Sequence, residues 1–89
     1  MKYRSRTEIV EMILEASRSG ITKTRIMYKA YLSYTQVKEY LSFLLENDLI
    51  KYEEGSQVYR TTEKGFHFLQ VYGEISDLVT PKSISKLTY

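Results

Sequence analysis

Apolar residues recur every three or four positions through the first half of the chain, alternate briefly after it, and return to a helical period near the C-terminus. Ile9, Met12, Ile13 and Ala16, widened by Val10 and Leu14, predict a first helix from about Ser5 or Arg6 to Arg18. Gly20 follows where a left-handed cap is favoured. "GIT" then forms a short extended link in which Ile21 can pair as a lone strand residue. Thr22 suits the N-cap of a second helix over "KTRIMYKA", with Ile26, Met27 and Ala30 turned inward.

The most definite local signal lies in "LSYTQVKEYLSFLLENDLI", residues 32–50. Ser33 and Gln36 have the spacing of a capping box, and Leu32 can staple to Val37, so both devices start a third helix at Tyr34. Val37, Tyr40, Leu41, Leu44 and Leu45 form its expected buried stripe, and Asn47 and Asp48 end it. The period then falls to two: "LIKYE" and "QVYRT" flank "EGS", which predicts a two-stranded hairpin turning at Gly55. Thr61 or Thr62 opens a last helix with Glu63 in its first turn, running to about Leu78 or Val79. Residues 1–79 thus read as one domain, with the last helix over about 62–79, and 80–89 as a tail.

Composition narrows the class. At 89 residues with 43% hydrophobic and 27% charged content, a single small globular domain is expected, and its modest core makes an oligomer plausible. There is no cysteine, so disulfides and thiolate metal sites are excluded. No apolar run approaches the roughly 18–20 residues that span a bilayer. Glu8, Glu11 and Glu15 interrupt the apolar stretch that a signal peptide would need, so a cytoplasmic location is expected. Net charge is +2 but uneven: residues 1–51 carry nine Lys/Arg against six Asp/Glu, and residues 52–89 carry four against five. A polyanion-binding face is therefore to be sought in the first half.

The element order gives a mainly α chain with a small β-hairpin (α+β). Two helices joined by a tight turn, the second exposed on its outer side, are the helix-turn-helix pattern, and a hairpin directly after it makes a winged helix. The stretches "TKTRIMYKAYLSYTQVKEYLSFLLENDLI" and "YRTTEKGFHFLQVY" resemble the small winged-helix proteins of archaea, which include DNA-binding chromatin proteins and predicted transcriptional regulators. The resemblance covers roughly residues 5–79, and "TTEKG" followed by "FLQVY" is its most specific part. It implies a homodimer formed through the C-terminal helix, presenting two reading helices to double-stranded DNA and associated with the nucleoid.

Independently of the resemblance, base edges in a major groove are read by donors and acceptors near the N-terminus of such a helix. Tyr34, Thr35, Gln36 and Lys38 occupy that region. Gln36 serves first as a cap, so Lys38 and Thr35 rank above it as contacts. Lys23 and Arg25 in the first turn of the second helix, Arg4 and Arg6 before the first, and Arg60 on the wing are candidate phosphate clamps. Glu53 and Glu54 bring negative charge to the wing tip and argue against its insertion into a minor groove. Tyr28, Tyr40 and Tyr59 are expected to pack. On the last helix Phe66 and Leu69 face the domain, while Phe68, Tyr72, Ile75 and Val79 recur as a seam and are the candidate dimer interface. Gly73 in that helix implies either a close helix approach or a break.

Catalysis finds little support. His67 is the single histidine and lies between two phenylalanines, while Glu53 and Glu54 alternate faces on a strand and do not converge. Neither a phosphate-cradling glycine loop nor a G-x-S-x-G nucleophile turn is present. No enzyme, no cofactor, no metal and no small-molecule ligand is expected. The alternative reading is a winged-helix module that binds other proteins, to which the near-neutral charge and acidic wing are suited.

Overall fold

The computed structural model describes residues 4–79, with side chains to residue 75. Its elements are α1 (Arg6–Ala16), α2 (Lys23–Lys29), α3 (Tyr34–Glu46), the antiparallel strands β1 (Ile50–Glu53) and β2 (Val58–Thr61), and α4 (Glu63–Val79). The order is the expected one. The proposed tail, 80–89, lies outside the described residues.

Local chemistry sets the helix starts. Ser5 and Glu8 form a capping box at α1, and Ser33 and Gln36 form the one read from the sequence at α3. In the latter, Ser33 Oγ accepts from the Gln36 amide at 3.1 Å while Gln36 Oε1 accepts from the Ser33 amide at 2.9 Å. Thr22 caps α2 and Thr62 caps α4, accepting from the amides of Arg25 and Gly65 respectively.

The helix ends were less legible. α1 stops at Ala16, two residues short of expectation, because the C-cap falls on the fully buried Ser17, whose hydroxyl donates back to the Ile13 carbonyl. Gly20 does take a left-handed conformation (φ +97°), but in the link beyond the cap. α2 and α3 both end in Schellman motifs: the Leu32 amide donates to Met27 O and Tyr31 to Tyr28 O, then Leu49 to Leu44 O and Asp48 to Leu45 O. The left-handed positions are held by Tyr31 (φ 55°) and Asp48 (φ 60°), where glycine is the usual signal. The hairpin turn likewise places its positive φ at Gln57 (57°) and not at Gly55.

α1, α2 and α3 meet around Ile13, Leu14, Ile26, Val37 and Leu44, all essentially without exposed surface. Leu32, Ile50 and Leu69 close the edges of this core. Leu45 departs from the predicted stripe at 38% exposure. Tyr28 departs further, at 69%. Tyr40 is buried and Tyr59 half-buried, the latter tilted against Tyr52 with ring centroids 4.8 Å apart. Phe66 remains 37% exposed beneath the Arg18 guanidinium instead of entering the core.

The hairpin is fastened to the helices at its base. Ile21 and Tyr59 exchange backbone hydrogen bonds of 3.0 and 2.7 Å, the lone-residue pairing anticipated for Ile21. Thr61 donates its amide to Ser17 O and its hydroxyl to Leu14 O, so the last carbonyls of α1 are satisfied by β2. On the other side the Thr62 hydroxyl donates to Asp48 O at 2.6 Å and the Thr62 amide to Leu49 O. Gly65 lies directly under that Leu49 carbonyl: a Cβ there would overlap its oxygen and sit 2.6 Å from Thr61 Cγ2. The "TTEKG" sequence is thus the joint between wing and α4. Among the described residues no buried side-chain nitrogen or oxygen lacks a partner.

Candidate nucleic-acid interface

The exposed N-terminus of α3 gathers its charge around one ring. Lys23 Nζ from α2 lies 4.9 Å from the centroid of Tyr34, and Lys38 Nζ, one turn along α3, lies 5.5 Å from it. Both distances are within cation–π range, worth about 0.5–1 kcal/mol each at an exposed site. Attraction to the ring holds both ammoniums beside the start of α3, where they add positive charge to that end of the helix. Thr35 beside them is exposed. The capping role takes up Gln36 Oε1 and leaves its amide nitrogen without a partner among the described residues.

The other sequence-predicted basic residues do not join this cluster. Arg4 donates to the Ala30 and Tyr31 carbonyls, bracing the end of α2 and the turn before α3. Arg6 lies over Tyr40 at 5.5 Å. Arg25, exposed on α2, borders a shallow depression with Gly20, Lys29 and Val58, towards the wing. Arg60 grips Glu53 through two hydrogen bonds of 2.8 and 3.1 Å. These bonds hold the Glu53 carboxyl below its ordinary pKa, and Ser56 adds a weaker one. Pairing thereby cancels one of the two wing acids, which reduces the repulsion expected between wing and phosphate.

Two features escaped the sequence reading. Tyr28, Tyr31 and Tyr34 follow one another at three-residue intervals across the turn and are 69%, 79% and 58% exposed. Between Glu15 and Glu39 the chain carries Arg18, Lys23, Arg25, Lys29 and Lys38 and no acid at all. Summing charge by halves diluted that signal with the three acids of α1.

α4 presents a different surface. Phe68 and Tyr72 stack with centroids 6.1 Å apart and are half-buried, Ile75 is 55% exposed, and the side chain of Val79 lies outside the described part. Phe68 also borders an open apolar depression with Phe43 and Leu49. The helix runs through Gly73 without a break, and among the described residues a Cβ added there would meet nothing within 4 Å beyond its chain neighbours and its own helix backbone. His67 is exposed, and the described residues hold no cluster of three side chains able to ligate a metal. No helix among them is long and apolar enough to cross a membrane.

Comparison with known proteins agrees with this architecture. A protein of Methanocaldococcus jannaschii, itself uncharacterized, is 34% identical over 73 residues, covering 82% of this chain. The chain spans about a third (34%) of that relative's length. Among solved structures, Sso10a-2, a DNA-binding protein from Sulfolobus solfataricus, superposes with a TM-score of 0.77 at 26% identity, over 96% of this chain and 92% of its own. A family model described as winged helix-turn-helix matches residues 3–80, which takes in every described residue. The match takes in both the tight α2–α3 turn and the β1–β2 wing: the chain belongs to the winged helix-turn-helix family.

Proposed function

We propose that this chain binds double-stranded DNA as a homodimer, laying the first turns of α3 in the major groove, as a transcriptional regulator or small chromatin protein of the nucleoid. The observation that carries the reading is the Lys23–Tyr34–Lys38 cluster at the exposed N-terminus of α3. In a helix-turn-helix this end meets base edges and flanking phosphates. Lys23 and Lys38 serve as the phosphate contacts, Thr35 and the free amide of Gln36 as donors to base or backbone, and Arg25 as an outer clamp towards the wing. The likeness to a DNA-binding protein of similar length supports the assignment.

Lys23→Ala combined with Lys38→Ala tests it. Removing one lysine–phosphate pair lowers the log–log salt slope of duplex binding by about 0.9, so the double variant should bind more weakly with a slope shallower by about 1.8. An unchanged affinity at low salt would remove this surface from consideration. The apolar depression around Phe43 and Phe68 favours a second reading, a protein-interaction module. Wild-type protein without salt-sensitive duplex binding would shift the assignment to that module.

A further inference from the structure

We infer that the tyrosines of the α2–α3 turn form a stacking ridge for unpaired bases, giving the protein a second binding mode for single-stranded nucleic acid. Tyr31 occupies the left-handed position of a Schellman motif, at φ 55°. The fold requires that conformation, because the buried Leu32 must return its amide to Met27 O. It does not require a tyrosine. Glycine fits there without strain, and a ring 79% exposed contributes little burial in exchange. Tyr28, three residues earlier, is equally unoccupied by the fold at 69%.

Charge identifies the occupant. The ridge lies inside the acid-free stretch between Glu15 and Glu39, and its third ring, Tyr34, is flanked by the ammoniums of Lys23 and Lys38. Aromatic rings alternating with cations are the arrangement that follows a single strand, with bases stacking on the rings and phosphates meeting the lysines. A duplex hides its base faces in its own stack, so rings projecting from the turn can meet only edges and backbone there. Unpaired bases of DNA or RNA offer the free face.

The test is fluorescence anisotropy with three labelled probes, a 20-base oligothymidine, a 20-base oligouridine and a random duplex of the same length, against wild type, Tyr28→Ala/Tyr31→Gly and Tyr28→Phe/Tyr31→Phe. Tyr34 is left intact because it belongs to the proposed duplex surface. Removal of a stacking ring should weaken binding by roughly five-fold or more per tyrosine. The Ala/Gly variant should therefore lose about 25-fold or more on at least one single strand, while its duplex affinity changes less than two-fold and the Phe variant retains both. Tyr31→Gly also relieves the left-handed strain, so thermal melting that is unchanged or higher keeps a folding defect from mimicking the result. Parallel losses on duplex and single strand, or no loss on either, overturn the ridge. Wild-type protein that binds duplex but neither oligomer overturns the ridge alone and leaves the proposed function standing.

Discussion

At position 65 one methyl group decides how closely α4 can approach the turn that follows α3. Gly65→Ala would drive a Cβ into the Leu49 carbonyl, which is backbone and cannot swing aside. Overpacking of this kind costs typically about 1–3 kcal/mol, so the urea midpoint should fall with an unchanged slope. A cap at Thr61 or Thr62 was visible in the sequence because the donor and acceptor of such a cap are three residues apart, and it falls on Thr62. The role of Gly65 was not, since its constraint comes from a carbonyl sixteen positions away. Glu11 offers the opposite adjustment. Partial burial, then Glu15 and Glu8 on the same helix, raise its pKa above the ordinary value. Since the folded value exceeds the unfolded one, the charged form penalises the fold fully above the folded pKa, and the penalty vanishes below the unfolded pKa. Glu11→Gln should accordingly stabilise the protein at neutral pH by about 0.5–1 kcal/mol, the scale of two screened like-charge helix pairs. That gain should disappear in denaturation curves taken below the ordinary glutamate range.

Among the elements, α3 carries the most complete start signal, where α2 relies on the single cap at Thr22. Ser33, Gln36, Leu32 and Val37 act within a single turn, so their spacing carries the whole instruction. Ser33→Ala should cost about 1 kcal/mol of stability, read as a lower melting temperature, because the Gln36 amide loses Ser33 Oγ as its acceptor. Its far side was less legible: Leu45 fits the helical period as well as Leu44 does, but only the placement of neighbouring elements decides that one is buried and the other exposed. The end of α2 was illegible for another reason. Its Schellman motif forms without glycine, so no residue type announces it. The candidate site divides along the same line. Lys38 and Thr35 follow from their place on one helix, whereas the partnership of Lys23 with Lys38 depends on how two helices pack. The diversion of Arg4 and Arg60 to intramolecular bonds depends on contacts that no local pattern encodes.

For the whole molecule, the proposed dimer is the property with the largest consequence. A two-fold pair would set its reading helices about 34–36 Å apart to meet successive major grooves. Ile75 and Val71 are exposed on α4, Gly73 has open space around it, and Tyr72 is half-buried on the α1 side, where burial and then Glu8 and Glu11 raise the pKa of its hydroxyl. Tyr72→Glu with Ile75→Glu should yield monomers in sedimentation velocity, with Ile75→Glu alone separating interface loss from any disturbance at Tyr72. A species that stays dimeric in both variants would rule out this face.

The fastening of β2 to the end of α1 has a consequence for how the molecule comes apart. Leu14, Ser17 and Ile21 receive hydrogen bonds from Thr61 and Tyr59, so releasing the base of the wing also uncaps the helix behind it. Neither can fray at the cost of its own bonds alone. The wing base and the first helix therefore belong to one cooperative opening unit, and the turn at 54–57 is left as the part of the hairpin able to adapt to a bound partner without loosening the fold beneath it.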